Sequence, residues 1–224
     1  MGWKTLYSMT ESNFRDLYSR GEKWGDLDPY RVVIDGEEHY GAGVIAIEPV
    51  RFQMSPKIQH TYGKTRITIE YIFYCYSDAY GEADIGVVFY KNDETSKDST
   101  GADFHGIGHV VSSEPGYNIA TKHRLVVEQE NGTIRLLSDD EEVGTWTLEQ
   151  PLTSLKIAID IPQASGSPYD SGIGIIVTSV KVEYYDWMED VVNQMTFAMN
   201  IMMWVMLVVG IISMVIKAFR GGKR

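Results

Sequence analysis

The chain of 224 residues contains a single cysteine, Cys75, which excludes an intramolecular disulfide framework and a cysteine-built zinc cluster. Its fold must hold by packing. No internal repeat and no low-complexity segment occurs, and at 44% apolar and 23% charged residues long disorder is excluded too. Acids are absent after Asp190, where the bases Lys217, Arg220, Lys223 and Arg224 all fall within the last eight residues. The formal charge of −11 therefore conceals a split: residues 1–194 hold the remaining sixteen bases against all 31 acids, a charge of −15. So acidic a surface repels phosphate backbones and makes nucleic acid an unsuitable partner.

Charge is missing altogether from Met195 to Ile216, which reads MTFAMNIMMWVMLVVGIISMVI. At about 1.5 Å per residue this run spans about 33 Å as a helix, enough to cross a hydrocarbon core of about 30 Å. A lipid bilayer is the expected partner, with Met195, Met199, Met202, Trp204, Met206, Gly210 and Ile216 as anchor residues. The helix is expected to start near Asp186, which precedes Glu189 by three residues as in a capping box. Met195, Met199, Met202, Met206 and Ser213 recur in steps of three and four, a stripe suited to an oligomer seam, although methionine also faces lipid without a partner. No signal peptide and no myristoylation motif is legible near Met1, so the span is expected to serve as a C-terminal anchor in a single-pass arrangement.

Between residues 30 and 185 the pattern is one of short strands and turns. Ile67, Ile69, Tyr71, Phe73 and Cys75 alternate with Arg66, Thr68 and Glu70, which predicts a strand with Cys75 in the core. Asn131-Gly132 separates two strand-like runs, the pair preferred by a tight hairpin turn with positive φ. Leu155, Ile157, Ile159 and Ile161 alternate again. In the last run Ile173, Ile175 and Val177 share one parity and Val180, Val182 and Tyr184 the other, which predicts a bulge near Thr178. Before residue 30 only a short amphipathic helix is legible, from Phe14, Leu17 and Tyr18, ended by Gly21. The expected organisation is an N-terminal segment 1–29, a β-sandwich 30–185, a juxtamembrane and transmembrane helix 186–219 and a basic tail 220–224.

The segments Asp84 to Asp93, Tyr117 to Leu148, Leu155 to Asp160 and Val177 to Tyr185 together resemble the strand and turn succession of concanavalin A-like lectins and laminin-G-like jelly rolls. The resemblance implies an all-β class: a single antiparallel jelly-roll β-sandwich followed by one C-terminal transmembrane α-helix. Glucanases of that fold carry a carboxylate string of the form E-x-D-x-x-E, one carboxylate attacking and another donating a proton. Here the nearest approach, Glu183, Asp186 and Glu189, has the wrong spacing, and no Ser-His-Asp, phosphate-loop or EF-hand motif occurs. No catalytic residue is therefore expected, and the chain is expected not to be an enzyme. His105 and His109 share a strand face about 13 Å apart, too far to ligate one zinc ion. The resemblance also implies calcium in acid-rich rim loops, for which Asp78, Glu82, Asp84, Asp93 and Asp98 are the candidates, while their plainer role is solubility. Otherwise no cofactor is expected.

The expected function is structural or adhesive: a non-enzymatic sandwich anchored in a membrane, forming a homo-oligomer or binding other structural proteins. A compact jelly roll on one anchor with a short tail is similar to vertex, turret or tail components of membrane-containing archaeal viruses, which implies a virion surface. The alternative is a cellular membrane-tethered lectin-like protein that binds a glycan at the cell surface.

Overall fold

Alternation along β6 (Lys64–Tyr76) sets the plan of the molecule, because Ile67, Ile69, Tyr71, Phe73 and Cys75 all turn to one side and are all buried. In the computed structural model, residues 2–60, 63–76, 79–91, 104–111, 119–147, 152–166 and 172–221 are described. They hold β1 (Trp3–Met9), α1 (Glu11–Arg20), β2 (Asp28–Ile34), β3 (Glu37–Ala46), β4 (Val50–Met54), β5 (Ile58–Gln59), β7 (Tyr80–Lys91), β8 (Phe104–Val111), β9 (Ile119–Glu130), β10 (Thr133–Ser138), β11 (Glu141–Thr147), β12 (Leu152–Ser165), β13 (Gly172–Tyr185) and α2 (Trp187–Gly221). One sheet runs β11-β10-β9-β6-β13-β3-β2 with β1 also on β13, and the other runs β4-β12-β7-β8 with β5 on β12. The registered strand pairs are antiparallel. This is the antiparallel sandwich of jelly-roll type that the sequence predicts.

The two sheets meet through their alternating apolar sides. Ile85 and Val87 on β7 and Leu155, Ile157, Ile159 and Ile161 on β12 face Leu125 and Val127 on β9 and Ile175 and Val180 on β13, every one of them at 0% exposure. Each such side chain contributes on the order of 1.5–3 kcal/mol by leaving water. Cys75 is in this core, 2% exposed, its thiol donating to the Ala79 carbonyl at 3.2 Å.

Three local predictions are realised. Asn131 and Gly132 both take positive φ, 50° and 86°, in the turn joining β9 to β10. The register between β13 and β6 slips between Val177 and Ser179, so Thr178 is the extra residue of a bulge and donates its hydroxyl to the Glu70 carbonyl. The bulge lets Ile175 and Val180, of opposite parity, enter the same core. The third is α1, which ends at Gly21 with φ 66°, the Gly21 amide donating to the Tyr18 carbonyl. Residues before 30 also supply Phe14, Trp24 and Leu27 to the core, with Phe14 and Trp24 edge-to-face at 5.2 Å. Trp146 packs against the same core.

By its internal contacts the chain divides into Thr5–Tyr184, the sandwich, and a second unit of Met1–Lys4 with Tyr185–Arg224. In that second unit α2 starts as predicted: the Met188 amide donates to Asp186 Oδ1 at 3.1 Å, while Lys4 pairs with the other carboxylate oxygen and the Asp186 amide donates to the Gly2 carbonyl. The span Val191–Lys217 is long and apolar enough to cross a membrane, and none of its most apolar window is buried by the chain. Met195 and Met206 on one side of the helix and Trp204 on roughly the opposite side are all 60–70% exposed. Gly210 and Ile216 belong to the same span, as do the stripe residues Met199, Met202 and Ser213.

Candidate functional site: a cleft over the outer face of the larger sheet

The outer side of the larger sheet is apolar where an ordinary solvated sheet face would be polar. Val32 on β2, Ile72 on β6 and Ile176 on β13 are buried there, with Tyr30, Ile34, Ile45, Tyr74 and Ala120 packed around them. The arrangement follows from where pairing stops. β3 is registered with β13 only from Ala42 to Ala46, while its pairing with β2 continues from Gly43 back to Glu37. The rest of the β2–β3 hairpin therefore leaves the plane of the sheet and bends over its outer face, bringing Val32 to Ile176 and Ile72.

Glycines permit that bend. A Cβ on Gly43 would lie 2.0 Å from the Ile175 carbonyl oxygen, and one on Gly174 would lie 1.9 Å from the Val44 carbonyl oxygen. No side chain fits between strands this close. The Tyr30 hydroxyl, bonded to the Ile45 backbone and pushed up in pKa by burial, ties the hairpin down.

Between the hairpin and the sheet lies a cleft of about 410 Å³, lined by Val32 and Ile34 on one side, by Tyr74, Tyr76, Ile119 and Ala120 on the other, and by Arg31 and Asp35. Its volume is that of a small-ligand site. Tyr74 and Tyr76, two apart on β6, turn to the same side, and their rings lie nearly parallel at 8° with centroids 6.1 Å apart. Tyr76 keeps 39% of its surface exposed. Chemically the cleft offers two flat apolar faces with phenol hydroxyls at their tips, one cation and one anion. It can pack a flat apolar surface while bonding hydroxyl groups around its edge.

The acids singled out for calcium fall elsewhere. Asp78, Asp93 and Asp98 lie outside the described residues. Glu82 and Asp84 sit on β7, on the outer side of the smaller sheet, where Asp84 is directly opposite Asp160 of β12. Asp160 is buried and accepts from Arg51 Nε at 2.8 Å and from the Phe52 amide at 3.2 Å. Asp84 is pushed up to about 6, first by burial and then by the charges of Glu82 and Asp160, with Arg51 opposing. Among the described residues no group of three or more His, Cys, Asp or Glu side chains converges as a metal ion requires. The sequence reading missed the Asp84–Asp160 pair: the two are 76 positions apart, and only the β7–β12 register brings them together. Glu183 is paired with Lys181, and Asp186 caps α2. His105 and His109 lie at alternate register positions of β8, opposite Val87 and Ala83.

No family model matches the sequence, and no curated protein does. Among solved structures, the laminarinase catalytic domain from Thermotoga maritima MSB8 is similar over 83% of this chain and 100% of its own, at 11% identity and a TM-score of 0.42. The alginate lyase A1-II′ is similar over 83% of this chain and 95% of its own, at 10% identity and a TM-score of 0.43. The Emp47p carbohydrate recognition domain is similar over 83% and 98%, at 9% identity and a TM-score of 0.40.

Proposed function

We propose that the chain is a membrane-tethered recognition module that binds an uncharged glycan in the cleft between the β2–β3 hairpin and the larger sheet. The observation that carries this reading is the parallel pair Tyr74 and Tyr76 at the mouth of a cleft of about 410 Å³. A pyranose ring has an apolar C–H face and a rim of hydroxyls, which suits an aromatic face with polar groups beside it. The −15 balance of residues 1–194 disfavours an anionic glycan. In this reading α2 serves as the tether, and the methionine stripe Met195, Met199, Met202, Met206 and Ser213 as the seam through which copies associate. Glycosidic bonds are not cleaved in it: in the Asp84–Asp160 pair, which lies on the other sheet, Asp160 already accepts from Arg51 and the Phe52 amide. The same tethered arrangement serves a virion envelope or a cell surface.

The test is binding of the full chain, reconstituted in lipid nanodiscs, to an array of neutral and sialylated glycans. Retention on neutral glycans, weakened about tenfold or more by Tyr76→Ala, is expected. No retention, or retention unchanged in Tyr76→Ala, would contradict the assignment of the cleft.

A further inference from the structure

We infer that a second cavity over the outer face of the larger sheet binds a free basic α-amino acid, separate from the Tyr74–Tyr76 cleft and independent of glycan binding. The cavity has a volume of about 350 Å³, and among its lining residues are Glu70 of β6, Lys122 and Arg124 of β9, Thr178 of β13, His39 of β3 and Glu11 of α1. Its floor follows from alternation. Glu70, Lys122 and Arg124 have the parity opposite to the core residues Ile69, Leu125 and Val127, so they project from the outer side. Its roof follows from the bend of the β2–β3 hairpin. His39 is registered opposite Val32, and Val32 packs onto Ile72 and Ile176, so the imidazole faces the sheet as well.

Charge pairing on this face distinguishes the cavity from its surroundings. Three oppositely charged residue pairs stand directly opposite each other across β6 and β9: Lys64 with Glu130, Arg66 with Glu128 and Glu70 with Arg124. The first two close as ion pairs, at 3.2 Å and 2.8 Å. The third stays open: Arg124 turns to Asp140 at 3.4 Å, and the Glu70 and Lys122 side chains have no ion pair among the described residues. The open pair is the one that borders the cavity. On the roof, His39 is held by Glu11, whose Oε1 accepts from His39 Nδ1 at 3.1 Å and from the Tyr40 amide at 3.0 Å. The imidazole is only 11% exposed, and its Nε2 has no hydrogen-bond partner among the described residues. With the ring proton on Nδ1, Nε2 is an unmet acceptor.

These groups select the ligand. An anion alone is repelled by Glu70, a simple cation by Lys122 and Arg124, and an uncharged molecule leaves both signs unpaired. A zwitterion satisfies them together: its carboxylate accepts from Lys122 and Arg124, while its ammonium donates to Glu70 and to His39 Nε2. Residues directly opposite in a sheet have Cβ atoms about 5 Å apart, and an α-amino acid, with both charges on one carbon, is short enough to bridge two such side chains. The acids Glu11, Glu70 and Asp139 line the cavity against the bases Lys122 and Arg124, and residues 1–194 carry −15, so a ligand of net positive charge is favoured. Arginine and lysine have that charge, with the side-chain cation directed to Glu11.

The test is equilibrium dialysis of the full chain in nanodiscs against radiolabelled L-arginine. The competitors are L-lysine, L-glutamate, agmatine, which lacks the carboxylate, and Nα-acetylarginine, which lacks the ammonium. Saturable binding is expected, about tenfold or more tighter for L-arginine than for agmatine or Nα-acetylarginine. Glu70→Gln should remove the advantage over Nα-acetylarginine, and Arg124→Gln should shrink the advantage over agmatine. Glu128→Gln, which opens the Arg66 pair outside the cavity, should leave L-arginine binding unchanged. Glu70 and Arg124 are exposed, and circular dichroism checks that each variant keeps the β spectrum. The glycan array reads the other cleft, so the two results are separate. No saturable binding of L-arginine, L-glutamate competing as well as L-lysine, or L-arginine affinity unchanged in Glu70→Gln overturns the proposal.

Discussion

Asp84 is a carboxylic acid whose setting opposes its ionised form. Burial, Glu82 and Asp160 all favour the protonated carboxyl, raising it from 3.8 to about 6 in the fold. A pKa raised on folding gives stability that is fully present below the unfolded value and is lost as pH rises through the folded one. The window is therefore pH about 4 to 6, and at neutral pH the ionised group opposes the fold. Asp84→Asn should stabilise the sandwich at pH 7.5 by on the order of 1–2 kcal/mol, a figure reduced for the partial solvation of the site, with the gain vanishing below pH 4. Denaturant unfolding of the two chains across pH measures this, and a gain independent of pH would contradict it. Cys75 is the opposite case: its place in the core is evident from alternation alone, whereas the Asp84–Asp160 pair depends on which strands become neighbours.

At the scale of elements, what was legible is what repeats locally. Strict alternation marks β6, β12 and β13, the Asn131-Gly132 pair marks the β9–β10 turn, and a change of parity marks the bulge at Thr178. The bend of the β2–β3 hairpin was not legible, because it depends on β3 losing one neighbour at Gly41 while keeping the other. Its signal was present in the form of glycines at 41, 43, 172 and 174, but glycine in a strand marks a bulge, a bend or a close approach without distinguishing them. A methyl group at residue 174 has no space against the Val44 carbonyl. Gly174→Ala should destabilise the sandwich by about 2 kcal/mol or more and open the cleft, whereas Gly36→Ala, at a turn position with nothing within 4 Å of a Cβ, should cost only its backbone strain, about 1 kcal/mol. Unfolding midpoints of the two variants compare them directly.

For the whole molecule, the question is what covers α2. Within 191–217 its large apolar side chains are exposed all round, from Val191 at 37% to Met214 at 71%, which is tolerable in lipid and not in water. Within lipid the hydrophobic effect does not drive helices together, so a seam along Met195, Met199, Met202 and Met206 must rest on close packing. Gly210→Ile, beside that stripe, should weaken crosslinked oligomers in native-like membranes, while Ile211→Phe, on roughly the opposite side of the helix, should spare them; equal effects would make the stripe lipid-facing. Glycan recognition at a membrane depends first on α2 being the tether. The most direct measurement is labelling of the full chain in lipid vesicles with a carbene reagent confined to the bilayer, followed by mapping of the labelled peptides. Label concentrated in 191–217 and absent from the strands of the sandwich is the predicted result. An unlabelled α2, or label spread over the sandwich strands, would contradict it.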